Sequence, residues 1–407
     1  MSSSDHTKLT RNVNLPMLIF YGLGNIFGAG IYVLVGEMAG ISGIYIPFSF
    51  LLACVVVLFS AMSYAELSAR FPLSAGEAVY VYEGFGSPML STAVGLMIAF
   101  AGLLSSATIL HGFHGYLSTF IASPESVTIL TVVIALSMIA IWGITQSMLF
   151  AFALTLAEMT GLVMVVYVGV GYIEPDSIPI EAMMPPLELS ILNTIVLGAF
   201  LAFYAFIGFE DMVNIAEEVK NPTKTMPRAI LLTLLIATLF YIAVAVVSIL
   251  VVPPEILAES AAPLAKVYET ATGKSAGVLS LIAMVAVING ALIQIIMVSR
   301  ILYGMSRQSW LPGFLSRVHP KTHTPIASTI LTGGLVFLFA TFFELLTLAQ
   351  FTSFVIFFVF ILVNLSLVFV KRKNPQPAGV RTYPLFVPVI AILLNLMLLG
   401  FQIVSVI

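Results

Sequence analysis

Charged residues are scarce in this sequence. Only 9% of its 407 residues are Asp, Glu, Lys or Arg, against roughly 25% in an ordinary soluble domain, and the mean hydropathy is +1.10. This composition excludes a soluble globule. The net charge of −3 offers no basic surface for nucleic acid, and the single cysteine, Cys54, excludes an intrachain disulfide.

Catalytic and nucleotide-binding motifs are also missing. The sequence has no HExxH pair, no nucleophile elbow and no GxxxxGKS loop. We therefore expect no enzyme activity, no metal and no cofactor, and transport would have to be driven by an ion gradient. Residues 1–13 lack a signal-peptide pattern and are expected to form a cytoplasmic N-terminal tail.

Long apolar runs are what the sequence does have. Eleven segments are long enough to cross a bilayer, which takes about 20 apolar residues. They lie near 14–39, 44–69, 89–121, 126–144, 147–172, 190–218, 227–252, 276–306, 325–343, 346–370 and 382–406. This pattern predicts an all-α integral membrane protein.

The basic residues segregate to one side of these segments. Fourteen of the sixteen Lys and Arg fall on the side of the N-terminus, and only Lys266 and Lys274 fall on the other. The positive-inside rule then predicts a cytoplasmic N-terminus.

Two segments contain features that interrupt helices. The first, GLGNIFGAGIYVLVGE, is rich in glycine, and the sixth carries Gly208 followed by Glu210 and Asp211. An unwound backbone is tolerated in a membrane only where it lines a cavity, so we predict a break in each. For the first helix the alternative is close packing, because glycines let helices approach one another.

The two interrupted segments occupy equivalent places in a repeat. Residues 14–172 and 190–370 each hold five segments, and an odd number of crossings inverts the second unit relative to the first. Residues 382–407 form an additional helix. The pattern predicts a 5+5 inverted-repeat (LeuT-like) transporter fold, in which broken helices hold the two charged ends of a zwitterion.

Several motifs resemble the amino acid–polyamine–organocation (APC) superfamily of transporters. They are the Gly-rich first helix, the segment YAELSARFPLSAGEAVYVYEGFG after the second, and FYAFIGFED followed by EEVKNPTKTMPRAI at the sixth. Members of that superfamily commonly have twelve helices, one more than are counted here.

The resemblance implies a substrate site at the two breaks. The substrate carboxylate would meet backbone N–H groups around Gly28, Ala29 and Gly30. The ammonium would meet carbonyl groups around Ile26, Tyr204 and Ile207. An aromatic lid would come from Tyr204 or one of its neighbours Phe203, Phe206 and Phe209, and Gly208 lies at the break beside them.

Coupling needs a titratable group at membrane depth. Glu158 in the fifth helix and Glu210 after the sixth-helix break are the candidates, with a proton, or alternatively sodium, as the coupling ion. Asn289 is a further candidate for contact with the ligand. We expect Asp211, Glu217 and Glu218 to make polar contacts on the cytoplasmic side, and Asn25 and Gln294 to form interhelical hydrogen bonds.

These features predict a secondary active transporter. It would move an amino acid across the plasma membrane, as a proton symporter working by alternating access around a midplane site. The alternative is an amino-acid or polyamine exchanger, including one for cationic amino acids. The third helix offers no carboxylate, which favours a neutral substrate. The expected partners are the amino acid and the lipid bilayer, with a homo-oligomer left open.

Overall fold

The helices are apolar on nearly every face, so they pack against one another or against lipid. The computed structural model describes residues 9–118, 121, 123–174, 183–260, 262–343 and 345–406. Its α-helices are α1 (Leu15–Ser42), α2 (Ile46–Arg70), α3 (Gly76–Phe85), α4 (Pro88–Ser118), α5 (Glu125–Trp142), α6 (Ile144–Tyr172), α7 (Leu189–Phe206), α8 (Pro222–Val251), α9 (Pro254–Ala258), α10 (Pro263–Thr272), α11 (Gly277–Arg307), α12 (Ile326–Phe342), α13 (Leu345–Lys373) and α14 (Phe386–Val406).

Each of the eleven predicted segments coincides with a helix, although the sixth segment is divided. In the described chain, eight helical stretches are long and apolar enough to cross a membrane. The first half of α1, α12 and α14 are apolar but shorter, so the number of crossings stays a prediction. Residues 1–8 of the predicted tail and residue 407 lie outside the described residues.

The predicted break in the first helix is not found, because α1 is one helix from Leu15 to Ser42. The glycines of α1 whose surroundings the structure describes lie where neighbouring elements come close. A Cβ atom on Gly22 would lie 2.5 Å from Met212 Sδ, and one on Gly36 would lie 2.8 Å from the Leu257 carbonyl oxygen. A glycine costs a helix roughly 1 kcal/mol, which is less than unpaired backbone groups cost in an apolar interior. Close packing therefore accounts for these glycines.

The predicted break in the sixth segment is confirmed. Helix α7 ends at Phe206, Ile207 is extended with φ −60° and ψ 133°, and a 3₁₀ helix runs over Glu210–Glu218. Gly208 between them has a φ of +126°, which residues with a side chain rarely adopt. The chain therefore changes direction at the glycine that precedes the two acids.

Helix contacts occur in the pairs that a twofold relation between two five-helix units requires. Helix α1 packs against α8 as α7 packs against α2, and α4 packs against α13 as α11 packs against α6. Helices α2 and α8 also contact each other, as do α4 and α11. Helix α14 lies outside this arrangement, against α13 and α2.

Candidate substrate site

A polar network joins the α7 break to α1 and α11. The Asn25 amide of α1 donates to the Gly208 carbonyl at 3.1 Å and to Asp211 Oδ2. The Gln294 amide of α11 donates to Asp211 Oδ2 at 2.8 Å and to Asn25 Oδ1 at 3.1 Å. The interhelical hydrogen bonds predicted for Asn25 and Gln294 are thus confirmed. Asp211 takes part in this network instead of in a contact at the cytoplasmic side, because the 3₁₀ helix turns its side chain toward α1.

Glu210 binds the backbone at the break. Its Oε2 atom accepts a hydrogen bond from the Gly208 N–H at 2.8 Å, and its Oε1 atom has no protein partner among the described residues. The side chain is fully buried beside Asp211. Two adjacent buried carboxyl groups without a counter-charge do not both stay ionised. The break therefore contains a carboxyl group that can hold a proton.

Tyr241 of α8 ties the two halves of the site together. Its hydroxyl lies 2.6 Å from the Ile26 carbonyl of α1 and 2.7 Å from the Ala205 carbonyl of α7. The helical partner of the Ala205 carbonyl is lost at the break, which leaves that oxygen free to accept from a side chain. One phenolic proton thus serves two carbonyl groups on the two elements predicted to bind the substrate.

A small cavity lies between α1, α4, α7, α11 and α13. Its volume is about 30 Å³, above the ~10–15 Å³ that one water molecule needs. Its lining residues are Asn25, Ile26, Ser105, Ile109, Tyr204, Ile207, Gln294 and Thr352. The cavity is too small for an amino acid, so a substrate can enter only if the helices separate.

The structure brings three of the predicted substrate residues to this cavity, namely Ile26, Tyr204 and Ile207. Phe203 points elsewhere, because its ring stacks on Phe357 with centroids 4.1 Å apart. Gly208 lies behind the lining, against Asn25. Residues 28–30 are part of the continuous α1, and their side chains are outside the described structure. Contact between any of these residues and a substrate stays a prediction.

Glu158 belongs to a second buried polar cluster. Its Oε1 atom accepts from the Asn289 amide at 2.9 Å, and the same amide donates to Thr155 Oγ1 at 2.9 Å. Thr155 Oγ1 in turn lies 3.1 Å from the Phe20 carbonyl of α1. Glu158 Oε2 has no protein partner in the described part of the chain. Neither Glu158 nor Asn289 lines the cavity, so Glu158 bridges α6, α11 and α1 beside it.

Comparison with known proteins identifies the family. The sequence pattern of the family described as "Amino acid permease" matches residues 14–406, nearly the whole chain. The chain belongs to the amino acid permease family. This confirms the predicted membership of the APC superfamily and makes the chain a multi-pass membrane transporter.

Curated relatives of the permease are transporters. It is 26% identical over 398 residues to the branched-chain amino acid permease BcaP of Bacillus subtilis, covering 92% of this chain and 84% of that one. It is 26% identical to the methylthioribose transporter of Bacillus subtilis, and the match covers 96% of this chain and 88% of that one. It is 29% identical to the cationic amino acid transporter 3, mitochondrial, of Arabidopsis thaliana, and the match covers 91% of this chain and 64% of that one.

A solved structure confirms the fold. The permease resembles a Na⁺-coupled sialic acid symporter with a TM-score of 0.65 and 13% identity, covering 98% of this chain and 92% of that one. At this identity the likeness shows the LeuT-like fold alone.

Two ion pairs close the permease on the face that carries the ends of α2, α11 and α13, which we call the basic face. Glu218 pairs with Arg300 at 3.3 Å, and both side chains are fully buried. Glu217 pairs with Arg307 at 2.9 Å nearer the surface, and its Oε1 atom also accepts from the Ser74 N–H. At the opposite face, α9 and α10 pack against α1.

Sequence reasoning missed Tyr241 and the central role of Asp211. An apolar helix with one tyrosine gives no sign of which carbonyl groups it meets. Asp211 follows directly after the predicted break, and that position is the only signal that could have indicated its contact with α1.

Proposed function

We propose that this permease is a secondary active transporter that moves an amino acid across the plasma membrane by proton symport and alternating access. One observation carries the proposal. The broken α7 places backbone groups without helical partners, together with Asp211, against α1, beside a small cavity. Half-helix ends of this kind bind the charged groups of a zwitterion.

In this proposal the substrate binds between α1 and α7. Its ammonium group meets the carbonyl groups at Ile26, Tyr204 and Ile207, and its carboxylate meets N–H groups around residues 28–30. Since α1 is a continuous helix in the closed structure, these N–H groups become available only when the helix unwinds locally at its glycines. Substrate binding and helix opening are thus coupled.

The side chain of the substrate faces an apolar wall. Ile26, Ile109 and Ile207 line the cavity, which favours a neutral, aliphatic amino acid, and BcaP is a relative named for such substrates. Exchange of cationic amino acids is the second candidate. It is favoured by Asp211, whose carboxyl group lies within reach of this cavity through Asn25 and Gln294, and by a relative named as a cationic amino acid transporter.

Coupling is assigned to buried carboxyl groups that gain and lose a proton. Glu210 touches the backbone of the break through Gly208, and Glu158 is hydrogen-bonded to α11 through Asn289. Protonation of either group removes a buried charge and alters hydrogen bonds that connect helices. This gives a proton a direct influence on whether α1 and α7 are held together.

Uptake by purified permease in lipid vesicles tests the proposal. Labelled leucine and labelled arginine are supplied under an imposed pH gradient, a sodium gradient, or neither. Proton symport predicts concentrative leucine uptake with the pH gradient alone. Uptake that requires unlabelled amino acid inside the vesicles would instead identify an exchanger, and uptake driven only by sodium would replace the proton as coupling ion.

A further inference from the structure

An excess of acidic side chains lies between the candidate site and the basic face. These acids are Glu77, Glu210, Asp211, Glu217 and Glu218. The two arginine pairs described above neutralise the last two. The structure gives the other three no cationic partner among the residues it describes, although each is at most 3% exposed. Three buried carboxyl groups without counter-charge cannot all be ionised, so this region holds protons.

Six buried polar side chains of the same region have an atom without a protein partner among the described residues. We call this region the inner polar chamber and define it by Tyr64, Ser74, Glu77, Tyr80, Glu210 and Asn214. Buried polar groups normally reach a partner, and ordered water supplies it where protein does not.

Packing contacts connect the residues of the chamber from the break to α3. The Tyr64 ring lies 5.6 Å from the ring of Phe209, the residue before Glu210, and 6.4 Å from the ring of Tyr80. The Gly76 N–H at the start of α3 donates to Asn214 Oδ1 at 3.0 Å. The ring of Tyr64 thus lies between Phe209, the residue before Glu210, and Tyr80 on the helix that carries Glu77.

Glu77 is the acid of the chamber farthest from the candidate site. It lies on α3, which is not among the helices able to cross a membrane. Burial, together with the charge of Asp211, raises the pKa of Glu77 to about 8, although a hydrogen bond from its own backbone lowers it. The group is therefore mostly protonated near neutral pH, and its pKa is close enough to neutrality for it to release and regain a proton.

Charged groups around the chamber come from three elements. They are Glu217 and Glu218 of the 3₁₀ helix, Arg300 and Arg307 of α11, and Lys373 of α13. Lys373 donates to the Glu83 carbonyl at the far end of α3. Each of these three cations already has a partner on another group. None of them holds the Glu77 carboxylate in an ion pair, so Glu77 can exchange its proton with water.

We propose that the inner polar chamber is a hydrated proton route from Glu210 and Asp211 to Glu77 and the basic face. A proton leaves the carboxyl pair at the break, passes along water and the Tyr64 hydroxyl, and protonates the Glu77 carboxylate. Glu77 then releases it past Ser74 to solvent, and only O–H bonds form and break. The inference rests on the proposed proton coupling and adds its path.

Two transport assays on the full-length permease in vesicles test the route. Counterflow measures substrate exchange without net proton movement, and pH-driven uptake requires proton release. For Glu77→Gln we expect counterflow within about twofold of wild type and pH-driven uptake lowered about tenfold or more, since proton transfer through a positioned carboxyl group is lost. The control is Glu83→Gln on the same helix but outside the chamber, which should leave both rates unchanged.

The outcomes separate this inference from the proposed function. If wild type ignores the pH gradient, proton symport is wrong. If wild type responds and Glu77→Gln retains full pH-driven uptake, the route is wrong. Should Glu77→Gln lose counterflow as well, Tyr64→Phe decides, because it removes one hydroxyl and keeps the ring. Slower pH-driven uptake with normal counterflow in Tyr64→Phe supports the route. Normal pH-driven uptake in Tyr64→Phe overturns it.

Hydroxyl-radical footprinting tests the water independently of transport. Radicals formed from water beside a buried tyrosine modify its ring, so we expect labelling of Tyr64 and Tyr80. Tyr241 is equally buried but bonded to two carbonyl groups, and it serves as the dry comparison. Equal protection of all three rings would overturn the hydrated chamber.

Discussion

Gly208 has a φ angle of +126°, and a Cβ atom there would lie 2.6 Å from Asn25 Nδ2. We expect Gly208→Ala to force either the backbone or the Asn25 amide out of place, at a cost of about 1–3 kcal/mol. Substrate binding should weaken and thermal stability should fall, as measured by uptake kinetics and by unfolding in detergent.

The control for Gly208→Ala is Gly112→Ala in α4. No atom lies within 4 Å of a Cβ built at Gly112, so this variant should retain transport and stability. Normal transport by Gly208→Ala would show that the turn at the break tolerates a side chain and is not needed for binding.

Glu158 offers a test of coupling at a single atom. The Glu158→Gln side chain keeps an oxygen that can accept a hydrogen bond from Asn289. Unlike a carboxyl group, it cannot gain or lose a proton. We expect uptake under a pH gradient to fall about tenfold or more, with the pH dependence of the rate flattened and counterflow retained. The exposed Glu188→Gln before α7 is the control. An unchanged rate and pH profile would mean that Glu158 only braces α11 against α6.

At the scale of elements, the sequence predicts one break correctly and one incorrectly. Both segments combine glycine with apolar residues, but only the sixth places Gly208 and two acids in succession. Glu210 can accept from the broken backbone, which compensates for lost helical hydrogen bonds. In the first segment the amide of Asn25 bonds to the α7 break instead of to its own backbone, and Gly22 and Gly36 lie against distant elements. Local sequence cannot distinguish these uses, because the contacting atoms come from elsewhere in the chain.

The link between α1 and α7 depends on a third helix, which gives a prediction for Tyr241. Tyr241→Phe removes the hydroxyl that serves the Ile26 and Ala205 carbonyl groups. Leaving buried acceptors unsatisfied costs about 1–3 kcal/mol, so we expect a higher KM and a lower melting temperature. The control is Tyr167→Phe on the outer surface of α6, where 78% of the residue is exposed. Equal KM values for both variants would remove Tyr241 from the site.

For the whole molecule, composition and hydropathy predict the membrane class and the order of helices. They do so because a span in contact with lipid must be apolar along its whole length, and this leaves a pattern in the local sequence. They do not predict which face is closed, since that depends on a few side chains meeting across the bundle. Glu218 and Arg300 are 82 residues apart in sequence and fully buried in the structure. No local pattern indicates that they form a pair.

This pair predicts how the closed state is maintained. Glu218→Gln leaves the Arg300 charge buried without its partner, which costs about 3–5 kcal/mol. Water entry at the basic face relieves that cost, so the variant should favour a state open on this side. Opening is measured with Ser74→Cys in a Cys54→Ser background. Ser74 is 1% exposed, so a membrane-impermeant maleimide labels the new thiol faster when this face opens. We expect faster labelling in Glu218→Gln and a rate near that of the parent in Glu218→Gln/Arg300→Met, where the charge is absent. If both variants label at the parent rate, the pair does not control access to this face.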